Sequence, residues 1–198
     1  MKITSITQQL KRTDRFSIFI DGKYSFSLGE AALLESKLTR GQELNEQQVR
    51  QVKQLADSDK LYGQASRYAA LRPHTSGEIS RYLERKQASP TLMTEILNKL
   101  SKIGLIDDTR YVQAYIHDRQ LLRPASRRKI TYELRKKHIA NEIIEAALGS
   151  ETDNDQLALR SLIERKRQQT RYQDDLKLMQ YLARQGFNYG DIKEALKQ

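Results

Sequence analysis

The sequence predicts a mainly α-helical protein: three tandem three-helix repeats forming an elongated body, preceded by a small strand-containing α+β module. Three observations lead there. Apolar residues recur at helical spacing from about residue 60 onward. The pattern of one stretch returns 51 residues later and again 48 further on, as repeated supersecondary units require. Only residues 1–60 show the alternating apolar pattern of strands.

In "DRFSIFIDGKYSFSLG" apolar side chains take alternate positions on either side of Asp21-Gly22, a pair that accepts the positive φ of a tight hairpin turn. Ile3 and Ile6 supply the apolar positions of a third strand. "NEQQVRQVKQLA" begins at Asn45, a good N-cap, and turns helical, so a helix or linker near residue 60 joins the module to the repeats. The expected divisions are 1–60 for the N-terminal module with its connecting helix, 61–106 for repeat 1, 107–149 for repeat 2 and 150–198 for repeat 3.

Within the repeats, Ile79, Ile130 and Leu178 align, and without a gap so do Leu83, Leu134 and Leu182. The same offsets carry Met93 onto Ile144 and Ile192, and Ile96-Leu97 onto Ala147-Leu148 and Ala195-Leu196. An earlier helix in each copy is marked by Ala65/Tyr68/Ala69, Val112/Tyr115/Ile116 and Leu159/Leu162/Ile163. Thr75 with Glu78 reads as a capping box, Ser89-Pro90 as N-cap and N1, and Asn141 and Asn188 as caps in the later copies.

Composition narrows the chemistry. The absence of cysteine excludes disulfides, thiolate nucleophiles and Cys-based zinc sites, and fits a reducing compartment. No apolar run approaches the roughly 18 residues of a membrane span, and "MKITSITQQLKRTDR" lacks the apolar stretch of a secretion signal, so a cytoplasmic protein with no membrane partner is expected. Thirty-five basic against 25 acidic residues, a net charge of +10, point to a polyanionic or acidic partner.

That charge is concentrated. Between residues 119 and 138 stand eight Lys or Arg and a single acid, Glu133. With Ile130 and Leu134 on the buried side, Arg128, Lys129, Tyr132, Arg135 and Lys136 fall on the opposite arc; Arg119 and Arg123 precede it and Arg127 lies at its edge. Charged outward faces are usually only solvated, but the repeats supply an internal control. The five equivalent positions carry no net charge in the first copy (Gly77, Glu78, Arg81, Glu84, Arg85) and +2 in the third (Leu176, Lys177, Gln180, Ala183, Arg184), against +4 and an aromatic ring in the second. Guanidinium groups grip phosphate oxygens bidentately, counterion release adds affinity, and an exposed Tyr can stack on an unpaired base. The same face suits an acidic protein groove. Arg72, Arg123 and Arg171 recur at one repeat position, and Arg85, Lys136 and Arg184 at another, where capping a neighbouring helix explains them as well as binding does.

Catalysis finds little support. In "GLIDDTRY", Gly104 can end one helix and Asp107 or Asp108 cap the next, and adjacent carboxylates diverge rather than share an ion. His74, His117 and His138 show no metal-binding spacing, and no phosphate loop or nucleophile set is present. No catalytic residue, cofactor or metal ligand is nominated.

With these motifs in place, the chain resembles the RecX family of regulators of the RecA recombinase. "LRPHTSGEISRYLERK" is similar to the family's first helix pair, "GLIDDTRYVQAYIHDR" to its G-(L/Y)-(L/I)-D-D junction, and "SRRKITYELRKKHIANEIIEAAL" to its RI-x-x-EL-x-x-K-x-I segment. The resemblance covers residues 61–198, and residues 1–60 look like the N-terminal extension of longer members. It departs from the pattern where a Gly commonly follows the EL-x-x-K helix: Gln87 and His138 stand there, and only the third copy keeps Gly186. Ala125-Ser126 likewise replaces a Gly often seen before "RRI". The resemblance implies a non-enzymatic modulator lodged in the groove of the RecA protein filament on single- and double-stranded DNA; separately, no heptad seam is present in the sequence, so a monomer is expected. In that groove it would modulate, mainly by inhibition, RecA's ATPase, recombinase and coprotease activities in DNA repair and the SOS response. The alternative is a stand-alone DNA-binding protein with 124–138 and 141–148 as a helix-turn-helix.

Overall fold

The computed structural model describes residues 1–149 and 153–197, and it is mostly helical with one small antiparallel sheet. Its internal contacts divide the chain into two compact units: Met1–Arg72 with Ile79–Leu105, and Pro73–Glu78 with the residues from Ile106 onward.

In the first unit, β1 (Ile3–Gln8), β2 (Arg15–Ile20) and β3 (Lys23–Gly29) form a sheet of order β1-β2-β3. The expected turn between β2 and β3 is present, with φ of 49° at Asp21 and 81° at Gly22. Ile3, Ile18, Phe26 and Leu28 bury one face of the sheet with Ala32, Leu38, Leu44, Val49 and Ala56. Ala32 lies on α1 (Glu30–Ser36), a short helix the sequence reading passes over. Asn45 caps α2 (Glu46–Ala70) in a full capping box with Gln48, and α2 runs unbroken through residue 60. The connecting helix and the first helix of repeat 1 are therefore one 25-residue helix. The middle helix α3 (Ser76–Arg85) buries Ile79 and Leu83, and α4 (Pro90–Lys102) buries Ile96 and Leu100. Arg15, nearly buried, pairs with Asp59 of α2 at 2.9 Å and donates to the Ser27 carbonyl at 2.8 Å.

The second unit holds two further triplets. The first comprises α5 (Asp108–Leu122), α6 (Arg127–Lys136) and α7 (Asn141–Leu148) around Val112, Ala125, Ile130, Leu134, Ile139 and Ile144. The other comprises α8 (Asp153–Arg167), a 3-10 turn (Thr170–Tyr172), α9 (Asp175–Arg184) and α10 (Tyr189–Ala195) around Leu159, Leu162, Tyr172, Leu178, Leu182, Phe187 and Ile192. The three middle helices have the same ten-residue length and start at the repeat offsets. All three end alike. The N–H two residues past the cap returns to the carbonyl of Leu83, Leu134 or Leu182, and the residue before it has positive φ: Gln87 at 59°, His138 at 59°, Gly186 at 90°. This is a Schellman close, and it explains the glycine of the family pattern. Caps follow expectation at Thr75, Ser89, Asp107 and Asn188; for α7 the N-cap is Ala140, and Asn141 is the first helical residue. Among the described residues no helix is long and apolar enough to cross a membrane.

Candidate functional site

The charged helix α6 has two kinds of cation. Ser126 caps it by accepting from the Lys129 N–H, and burial of Ile130 and Leu134 fixes which way the helix faces. Arg128, Tyr132, Arg135 and Lys136 then lie exposed on the outward arc. The Lys136 ammonium sits 4.6 Å from the centre of the Tyr132 ring, itself 57% exposed, so cation and aromatic surface form one patch. Arg135 Nε donates to Asn141 Oδ1 at 2.8 Å, a neutral partner that orients the guanidinium without offsetting its charge.

Arg119, Arg127 and Lys129 are tied into the scaffold. Arg119 of α5 pairs with Glu133, which also accepts at 2.7 Å from the Tyr115 hydroxyl. Burial opposes the Arg119 charge, but hydrogen bonding to Tyr115 and Glu133 outweighs it and raises the group's pKa. Burial, and then the Glu133 carboxylate, raise that of the Tyr115 phenol. Arg127 reaches the C-terminal end of α7, donating to the Leu148 carbonyl at 3.1 Å and to that of Gly149, and pairs with Glu145 at 2.6 Å. A cation at that end of the helix complements its dipole. Lys129 does the same for α9, donating to the Arg184 carbonyl at 2.8 Å and to Gln185 Oε1 at 2.9 Å. Arg123 is exposed at the C-cap of α5.

Lys129 belongs to a junction that occurs twice within the second unit. The Thr75 hydroxyl donates to the Lys137 carbonyl at 2.7 Å; one repeat later the Ser126 N–H donates to the Gln185 carbonyl at 3.1 Å. Asp108 accepts from the Ser76 N–H at 2.8 Å, and Asp155 from the Arg127 N–H at 2.7 Å. Glu78 meets Lys137 at 3.4 Å where Lys129 meets Gln185. In each case a helix N-terminus takes a carboxylate from the following triplet. The paired acids of "GLIDDTRY" thus divide their labour: Asp107 caps its own helix by accepting from the Arg110 N–H, and Asp108 caps another.

The sequence reading passes over Arg165-Lys166-Arg167 at the end of α8. Arg167 is used locally, paired with Asp175, but Arg165 donates to the carbonyls of Leu121 and Leu122 at 3.1 and 3.3 Å. Lys166 lies 4.8 Å from the centre of the Tyr181 ring. The run of three cations was a usable signal; its direction of approach to α5 was not.

Comparison with known proteins gives one consistent family. Residues 1–45 match the model of the regulatory protein RecX N-terminal domain, and residues 107–148 that of the RecX second three-helix domain. A regulatory protein RecX of Lactobacillus delbrueckii subsp. bulgaricus is 29% identical over 201 aligned positions, covering 99% of this chain and 73% of that protein. One from Listeria welshimeri is 33% identical over 157 positions, covering 79% and 58%. A crystal structure of regulatory protein RecX superposes with a TM-score of 0.77 at 27% identity, covering 100% of this chain and 99% of that one.

Proposed function

Because the chain belongs to the RecX family, we propose that it is a non-enzymatic cytoplasmic regulator that binds the RecA–DNA filament and restrains RecA's ATPase, recombinase and coprotease activities in DNA repair and the SOS response. The observation that carries the site assignment is the exposed cation–aromatic patch of Arg128, Tyr132, Arg135 and Lys136. It presents three positive charges and a ring on one helix, suited to the filament's phosphates, to an acidic surface of RecA, or to both. Arg119, Arg127 and Lys129 hold the helices that present it.

The stand-alone helix-turn-helix reading fares worse on charge. In that motif the second helix enters the major groove. Here that helix is α7, "NEIIEAAL", which carries Glu142 and Glu145 and no cation, so it would meet phosphates with the wrong sign.

The test is ATP hydrolysis by preformed RecA filaments titrated with the protein. Inhibition by the parent and its loss in a folded Arg128→Glu/Arg135→Glu variant are expected. Undiminished inhibition by that variant would falsify the assignment of the face, and no inhibition by the parent would remove the reading itself.

A further inference from the structure

Two grooves of nearly equal size flank α6 within the second unit, and they differ in charge. One, of about 660 Å³, is lined by Arg127 and Arg128 together with Asp155 and Asp191, so cations and carboxylates are equal in number along its wall. The other, of about 670 Å³, is lined by Arg119, Arg123, Lys129, Arg165 and Lys166, with no carboxylate in its wall. Three glutamines, Gln168, Gln169 and Gln185, and the ring of Tyr181 complete its polar and aromatic lining.

Most of that charge is uncompensated. Arg119 has Glu133. Lys129 and Arg165 are held by backbone carbonyls and an amide oxygen, and Lys166 by Gln169 Oε1 and the faces of Tyr172 and Tyr181. Arg123, Lys129, Arg165 and Lys166 form no ion pair among the described residues. Neutral oxygen partners aim a cation without neutralising it, so four like charges converge on one recess. Their mutual repulsion is relieved only by counterions or an anionic ligand.

We propose that this groove, formed by α5, α6, α8 and α9, is a track for single-stranded nucleic acid, with Arg123, Lys129, Arg165 and Lys166 on successive phosphates and Tyr181 and the glutamine amides toward the bases. A recess lined by cations, with rings and amides between them, is how unpaired strands are held: charge follows the backbone, and π faces and amide groups meet bases released from stacking. A duplex displays its phosphates on a convex surface and keeps its bases stacked, so it uses neither the recess nor the amides. An acidic peptide would use the cations but has no use for the ring face. The proposal rests on the reading that the chain meets a nucleoprotein filament, and it assigns the strand to the groove and leaves the outer patch of α6 to the filament's surface.

The experiment needs no RecA. Fluorescence anisotropy with labelled oligodeoxythymidylate is followed against salt for the full chain, for Arg123→Glu/Lys166→Glu, for the milder Arg123→Gln/Lys166→Gln, and for Arg128→Glu/Arg135→Glu. Removing two phosphate contacts is expected to weaken binding at least tenfold at moderate salt and to lower the slope of log K against log salt by about 1.4. The α6-face variant, which keeps all four groove cations, is expected to weaken binding less than either groove variant. In parallel, the oligonucleotide is expected to shield Lys129 and Lys166, but not Lys136, from acetylation read by mass spectrometry, which needs no variant at all. Parent-like oligonucleotide binding by both groove variants overturns the proposal. So does loss confined to the α6-face variant, or a groove whose variants lose polyglutamate or duplex binding but not the single strand. None of these outcomes touches the ATPase result, so the groove can fail while the regulatory reading stands.

Discussion

The three Schellman closes make a stability prediction with opposite signs at equivalent positions. Gln87 holds φ of 59° on an exposed site, where the left-handed backbone costs an L-residue roughly 1–2 kcal/mol. Glycine removes that cost but loses more freedom on folding, about 0.5–1 kcal/mol, so Gln87→Gly is expected to stabilise by about 0.5–1 kcal/mol. In the third copy the change runs the other way. A Cβ at Gly186 would stand 2.4 Å from Ser126 Oγ and 2.9 Å from Lys129 Cβ, on a backbone with φ of 90°. Gly186→Ala therefore adds overpacking of about 1–3 kcal/mol to the left-handed cost. The collision falls on the Ser126–Lys129 junction, where the backbone carries the contact and has little room to give. Thermal unfolding by circular dichroism reads both: for a chain of this length 1 kcal/mol moves Tm by about 2–4 °C, so a small rise is expected for Gln87→Gly and a fall of several degrees for Gly186→Ala. A lower Tm for Gln87→Gly, or no change for Gly186→Ala, would refute the reasoning that one backbone requirement governs both positions.

Two further outcomes follow from buried polar groups. Asp59→Ala leaves the nearly buried Arg15 guanidinium and the Gly29 N–H without their carboxylate, and should cost about 3–5 kcal/mol in urea denaturation, with Arg15→Met/Asp59→Leu costing clearly less. Burial and Glu133 raise the Tyr115 phenol, so its contribution is complete below the ordinary tyrosine range near pH 10 and is lost as pH rises through the higher folded value. Melting temperature from pH 8 to 11 should thus fall less steeply in Tyr115→Phe than in the parent.

The middle helices were legible in the sequence because each must bury the same two apolar positions, and burial constrains residue type strongly. The hairpin was legible because few dipeptides tolerate the backbone of Asp21-Gly22. The helix α1 was not: seven residues long, it has a glycine N-cap with no side-chain bond, and Lys37 in left-handed conformation ends it, so neither end carries the usual residue signal. The junction was invisible for another reason. Glu78 and Lys137 are 59 residues apart, and a charge committed to a distant helix end reads in sequence like a charge offered to solvent.

The junction accounts for part of the charge difference between repeats. Glu78, Lys129 and Lys177 occupy the junction position, so their signs reflect scaffold chemistry: Glu78 answers Lys137, and Lys129 answers the carbonyl end of α9. With that position set aside, the outward faces keep a net charge of +1 in the first copy and +1 in the third, and +3 with Tyr132 in the second. The excess over the first copy is therefore halved and that over the third is unchanged, and none of what remains is explained by packing. Arg128, Arg135 and Lys136 are exposed and held by no carboxylate among the described residues, on a helix whose buried side is already satisfied. Charge that the fold does not use, placed beside a ring on a helix that also lines a carboxylate-free groove through Lys129, is charge available to an anion outside the chain.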